Sequence, residues 1–194
     1  MRMPVQRLPA MKLAQMRRGF TLLELMVVLA IAAVLMGLAS PEMRDLIRRQ
    51  RLDSAVADLH GAIDLARSQA IARGARVQLV PLEPTGLNWS RGWVVFIDAN
   101  GDRRPSPGEE VIASHGAIDE GIVISFNFTS NRQPYYIAYN AAGRSCSDAS
   151  SAAARWGTLS LHQGREIRRI RINMLGRARV CNPAREPGTC TGPE

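Results

Sequence analysis

Hydrophobic and polar positions divide the chain into three regimes. From Phe20 to Ala39 the sequence is an apolar run, FTLLELMVVLAIAAVLMGLA, broken by a single charge at Glu24. About 20 such residues at about 1.5 Å each match the hydrocarbon thickness of a bilayer, about 30 Å. Leu, Met, Val and Ala favour helix, and Pro41 punctuates the run where its apolar character stops. A second regime follows. Leu52, Val56, Leu59, Ile63, Ala66 and Ala70 recur at alternating spacings of four and three, which draws one apolar stripe on a helix. Arg48, Arg49, Arg51, Asp53, Asp58, Asp64 and Arg67 fall largely off that stripe, and Gly74 is a C-terminal stop. The spacing predicts one helix from residue 20 to residue 73, about 80 Å long.

Beyond Gly74 the period turns strand-like. Val77–Val80 reads as a short strand, Pro81–Asn88 as a loop, and Gly92–Ile97 as the strongest strand, rich in β-branched and aromatic residues. Asp98-Ala99-Asn100-Gly101-Asp102 turns the chain into a return strand at Glu110–Ala113, and Ile122–Phe126 and Tyr135–Tyr139 follow. The Ser/Ala-rich stretch Ala141–Arg155 is poorly patterned and reads as a mobile loop. Thr158–His162 and Glu166–Asn173 read as a final hairpin with Gln163-Gly164 at its turn. Ile170 and Ile172 share one face there, Arg169 and Arg171 the other. A long helix followed by antiparallel strands is an α+β arrangement, with the helix stripe laid on the sheet.

The apolar run asks for an explanation, because a carboxylate within it costs about 2.5–3.5 kcal/mol on insertion. Arg17-Arg18-Gly19-Phe20-Thr21-Leu22-Leu23-Glu24 resembles the class III signal of type IV prepilins and type II secretion pseudopilins. The resemblance implies that a prepilin peptidase cuts between Gly19 and Phe20 and methylates the new N-terminus. Glu24 becomes the fifth mature residue and Pro41 the twenty-second, where pilin helices often carry a kink-forming proline. The implied layout is a leader at 1–19, a transmembrane and assembly helix at 20–40, an amphipathic helix at 41–74 and a periplasmic β-rich domain at 75–194. The fold implied is the type IV pilin-like one. Cations ahead of the apolar run hold the leader in the cytoplasm and place the C-terminal part in the periplasm, with a single pass through the inner membrane. The freed amine of Phe20 is a cation that can pair with Glu24 of a neighbouring subunit in a filament.

The strand Gly92–Ile97 with Asp-Ala-Asn-Gly-Asp and Pro-Gly-Glu-Glu after it, and the segment Ile172–Val180, resemble the GspH/FimT group of minor pilins and pseudopilins. Gly176-Arg177-Ala178-Arg179 looks like the G-R-x-R motif of FimT-type minor pilins, which implies DNA capture through Arg177 and Arg179. Charge alone adds Arg171, Arg169, Arg165, Arg168 and Arg185. Formal charge sharpens the picture: of the net +8, five cations and no acid lie in the leader. From Gly164 to Arg185, in contrast, seven arginines face one acid, Glu166. Arginine's planar fork suits phosphate, and several such contacts give salt-dependent, sequence-indifferent binding. The alternatives for this face are a solvated surface and a docking surface for other pilins. The implied partners are the peptidase, other pilins or pseudopilins, the inner membrane and double-stranded DNA. The rival assignment is a GspH-like minor pseudopilin of a type II secretion machine.

Other chemistry is thin. A periplasmic domain permits a disulfide, and among Cys146, Cys181 and Cys190 the expected bridge is Cys181–Cys190, closing CNPAREPGTC. Asp98, Asn100, Asp102 and Glu109 fit the oxygen-ligand spacing of a calcium loop. Arg103 stands where that loop wants glycine, however, and a plain turn is the preferred reading. His60, His115 and His162 are scattered, and no nucleophile has a paired base. The sequence argues for no enzyme, no cofactor and no metal.

Overall fold

The computed structural model describes residues 20–191, except for the side chains of residues 37–42. The leader, Gly19 and the side chain of Pro41 therefore lie outside the described residues. The chain divides into two compact units, Met1–Met43 and Arg44–Glu194.

One helix, α1, runs Leu22–Arg73. Thr21 caps it: its hydroxyl oxygen accepts the Glu24 N–H at 3.2 Å, half of the reciprocal contact in a Thr-x-x-Glu capping box. In the first unit the large apolar side chains from Phe20 to Met36 are exposed. Among the described residues no helix is long and apolar enough to cross a membrane, and the expected span at 20–40 extends beyond the described side chains.

In the second unit the predicted stripe is the core face of α1: Leu52, Val56, Leu59, Ile63, Ala66 and Ala70 are all buried. The helix stops where Gly74 turns left-handed, at φ 61°, and the Ala75 N–H returns to the Ala70 carbonyl. Two antiparallel sheets follow. The first has five strands, β1 (Val77–Pro81), β2 (Trp93–Phe96), β3 (Val111–His115), β5 (Ile137–Tyr139) and β6 (Ser145–Cys146), in the order β3-β2-β1-β5-β6. The second has four, β4 (Val123–Phe128), β7 (Gly157–Gln163), β8 (Glu166–Ile172) and β9 (Ala178–Cys181), in the order β4-β7-β8-β9. The helix stripe forms one core with Val77, Leu79 and Val95 of the first sheet and with Leu159, Leu161 and Ile170 of the second. A smaller cluster of Val80, Val94, Phe96, Tyr136, Ala138 and Cys146 buries the other face of the first sheet.

Two expectations need correction. The stretch Ala141–Arg155 is not an unstructured loop. It holds β6, a bridge between Cys146 and Ala154, and Arg155, which is buried. Its anchors are polar, so hydrophobic periodicity could not reveal them. The Arg155 guanidinium lies 3.9 Å above the Tyr136 ring and donates to the Ser130 carbonyl at 2.6 Å. Asp148 accepts from Arg103 Nε at 2.6 Å and from the Tyr136 hydroxyl at 2.7 Å. Second, Gln163 pairs with Glu166, so the tip of the last hairpin is Gly164-Arg165, with Gly164 at φ 60°.

Candidate functional site

The C-terminal arginines are carried by the second sheet and its last turn. Register places Asn127, Thr158, Arg171 and Arg179 in one row across four strands. Alternation puts this row on the face opposite Leu159 and Ile170, away from the helix. The adjacent row on the same face is Ser125, Ser160, Arg169 and Cys181. That row is covered by the C-terminal segment, which a disulfide between Cys181 and Cys190 holds in place with a Cα–Cα distance of 5.8 Å. Arg169 is accordingly buried, and its guanidinium donates to the Cys190 carbonyl at 2.7 Å. Strand alternation put Arg169 and Arg171 on one face. The covering segment then withdraws Arg169 from the surface, so the exposed set loses one of its expected members.

Arg171 remains partly open and donates to the Thr189 carbonyl. It stands directly opposite Arg179 across the β8–β9 ladder. Two like charges in that position repel, which disfavours the pair unless something anionic attends it. Glu186 pairs with Arg179 and is half of the answer. Arg177 is exposed, and its side chain makes no hydrogen bond or ion pair among the described residues. Its backbone is fixed by the tight turn Asn173–Arg177, where Asn173 Oδ1 accepts the N–H groups of Leu175 and Arg177, both at 3.0 Å. Gly176 is the reason this turn can sit where it does. Its φ is 77°, and a Cβ there would collide with the Gly143 carbonyl oxygen and lie 2.8 Å from the Tyr139 ring. The glycine of G-R-x-R thus seats the turn on the β5–β6 connection, and the arginine beside it projects.

A cavity of about 650 Å³ opens over these groups, lined by Trp156, Thr158, Arg171, Met174, Arg177 and Arg179, with no acidic side chain in its wall. A second, of about 420 Å³, continues from it past Trp156 and Arg171 to Asn127, Thr129 and Thr191. Three guanidinium groups around one open groove favour an anionic ligand with several phosphate or carboxylate groups. The other basic candidates do not join them. Arg168 is taken up by Asp53 at 2.9 Å and Glu166 at 3.2 Å, and Arg165 is exposed at the distant hairpin tip. Trp156 and Glu186 were missed in the sequence: an isolated tryptophan in a Ser/Ala-rich stretch carries no periodic signal.

Elsewhere, Asp98, Asp102 and Glu109 bring carboxylate oxygens within 4.8 Å of one another. Those oxygens already serve the turn. Asp98 accepts from Gly101 N at 2.6 Å and Gln78 Nε2 at 2.7 Å, Asp102 from Arg104 N at 2.8 Å, and Glu109 from Ala99 N and Ser106 N at 2.9 Å. Burial pushes the Cys146 thiol up to about 11, so it is not a nucleophile at neutral pH. Phe20 and Glu24 are exposed at the start of α1.

Comparison with known proteins gives this geometry a family. The family described as "Type II transport protein GspH" matches residues 55–176, and the prokaryotic N-terminal methylation motif matches residues 15–40. The chain is 45% identical over 100 residues to the pilin-like protein PilA1 of Thermus thermophilus; the match spans 51% of this chain and 60% of that relative. The type IV minor pilin FimU of Pseudomonas aeruginosa has a similar fold, with TM-scores of 0.53 and 0.51 in two crystal forms. At 17% and 16% identity, those structures cover 70% and 68% of this chain, and the chain covers 92% and 94% of theirs. Because the family match alone takes in more than half of the sequence, from the core face of α1 through the first sheet and all but the last strand of the second to the glycine that seats the arginine turn, the chain belongs to the GspH family of pilin-like proteins.

Proposed function

We propose that this chain is a minor pilin of a type IV pilus whose C-terminal domain binds double-stranded DNA without sequence preference, for natural transformation. In this reading a prepilin peptidase cuts between Gly19 and Phe20. The helix of residues 20–40, with any bend at Pro41, holds the subunit in the inner membrane with its C-terminal domain in the periplasm, and later enters the filament. Glu24 then pairs with the amine of a neighbour's Phe20. The protein is a structural and binding subunit, not a catalyst.

The observation that carries the DNA reading is the groove itself: Arg171, Arg177 and Arg179 line it and no acid does. Such a wall exchanges counterions for phosphates, which needs no base contacts and accepts any sequence. A second reading, a minor pseudopilin of a type II secretion system, draws support from the description of the matched family. There the same groove would meet an exported protein or another pseudopilin.

An electrophoretic mobility shift of a random-sequence duplex by the full chain in non-ionic detergent tests the choice. The minor-pilin reading expects a shift at low salt that Arg177→Ala with Arg179→Ala weakens to a higher protein concentration. A wild-type chain that shifts no duplex at low salt returns the domain to the secretion reading.

A further inference from the structure

The groove holds one feature that phosphate binding does not require. Of the three tryptophans, Trp89 and Trp93 are fully buried, Trp89 5.8 Å from the Phe126 ring and Trp93 stacked 4.4 Å from His115. Trp156 is 41% exposed and has no ring partner among the described residues. It lines both cavities, with Arg171 as a common neighbour. Its backbone is fixed, since the Trp156 carbonyl accepts the Thr129 N–H at 2.9 Å and Gly157 is paired on both sides in the sheet. The indole is therefore held at the groove by a rigid strand end while its ring is left to solvent. Met174, 54% exposed, adds a further large apolar side chain open to solvent on the same wall.

We propose that Trp156 is a stacking platform for an unpaired base, so that the arginine groove grips single-stranded DNA more tightly than duplex. The inference rests on the nucleic-acid reading above and deepens it. Phosphates need cations, and a duplex keeps its bases stacked inside, out of an indole's reach. A single strand offers a flat π-face at every residue. A cationic track beside an exposed aromatic ring is the combination that holds such strands. Charge complementarity selects the occupant: Arg171, Arg177 and Arg179 line the same groove as the ring, Glu186 pairs with Arg179 alone, and a neutral apolar partner would leave Arg171 and Arg177 without an anion. Indole emission also supplies a built-in probe, because the other two tryptophans are shielded.

The test compares a fluorescein-labelled oligothymidylate with a duplex of equal length by anisotropy, using the full chain in non-ionic detergent. Trp156→Ala is expected to weaken oligothymidylate binding by about fivefold or more, with duplex affinity unchanged. Trp156→Phe is expected to keep most of the difference. Oligothymidylate is expected to quench tryptophan emission in the wild type and not in Trp156→Phe. Retained duplex binding by each variant shows that the domain is folded. Equal loss on both ligands, or no loss on either, overturns the stacking role while leaving the arginine site standing. Unchanged DNA affinities with lost filament incorporation overturn it too, and assign Trp156 to a subunit contact. If wild-type protein binds neither ligand, the groove reading and this inference fall together.

Discussion

Asp148 and Gly176 are single residues on which larger pieces of the fold depend. Burial would raise the Asp148 carboxyl. Hydrogen bonds from Tyr136 and Arg103 and the charge of Arg103 outweigh it and bring the carboxyl down to about 2. Its folded value lies below the ordinary one, so its contribution is present above about pH 4 and is lost as pH falls toward 2. Asp148→Asn is expected to cost about 1 kcal/mol at neutral pH, after allowance for solvent screening, with the gap to wild type closing between pH 4 and pH 2 in urea melts. A gap independent of pH would remove the carboxylate's charge from the explanation. Gly176 is a steric case. Gly176→Ala meets both a left-handed backbone and the Gly143 carbonyl, so a loss of more than about 2 kcal/mol is expected in thermal melts. Arg177→Ala, an exposed neighbour, is expected to leave the melting temperature unchanged. The same motif therefore divides into a glycine that seats the turn and an exposed arginine that the proposal assigns to binding.

At the scale of elements, the C-terminal segment matters most for the site. The Cys181–Cys190 bridge closes a short loop, and Arg169 and Arg171 each donate to a carbonyl within it. Replacing both cysteines by serine is expected to cost about 2–3 kcal/mol, read as a lower urea midpoint. An unchanged midpoint would mean that the carbonyl contacts alone hold the segment. This region also marks the limit of what the sequence disclosed. Elements with an apolar period were legible: the stripe from Leu52 to Ala70 and the alternation of Ile170 and Ile172 both lie in the core. Segments held by polar anchors were not. Residues 141–155 read as loop because Asp148 and Arg155, rather than a hydrophobic repeat, attach them. Arg169 read as exposed because alternation gives a residue's face but not what later covers that face. The arginine groove was half legible. Gly176-Arg177-Ala178-Arg179 stood out, while the pairing of Arg171 with Arg179 needed the strand register and Trp156 needed the tertiary fold.

For the whole molecule, the proposed life of the chain begins with processing and assembly. Glu24 occupies the third helical position after Thr21, where a glutamate also supports a helix start. Glutamine supports the same cap without the charge, so Glu24→Gln separates the two roles. The account expects that variant to reach the membrane normally and to be absent from sheared filaments. Normal incorporation would dismiss the pairing with a neighbour's amine. Mass spectrometry of native protein is expected to find a mature chain beginning with methylated Phe20. The central claim, that an arginine groove on the outer face of the second sheet meets phosphates, is tested most directly by the salt dependence of duplex binding. Plotted as log affinity against log NaCl concentration, the slope for the full chain is expected to be steep and linear. For Arg177→Ala with Arg179→Ala it is expected to be shallower by about two. A slope identical in wild type and variant would contradict the account, because the phosphates would then be held somewhere else.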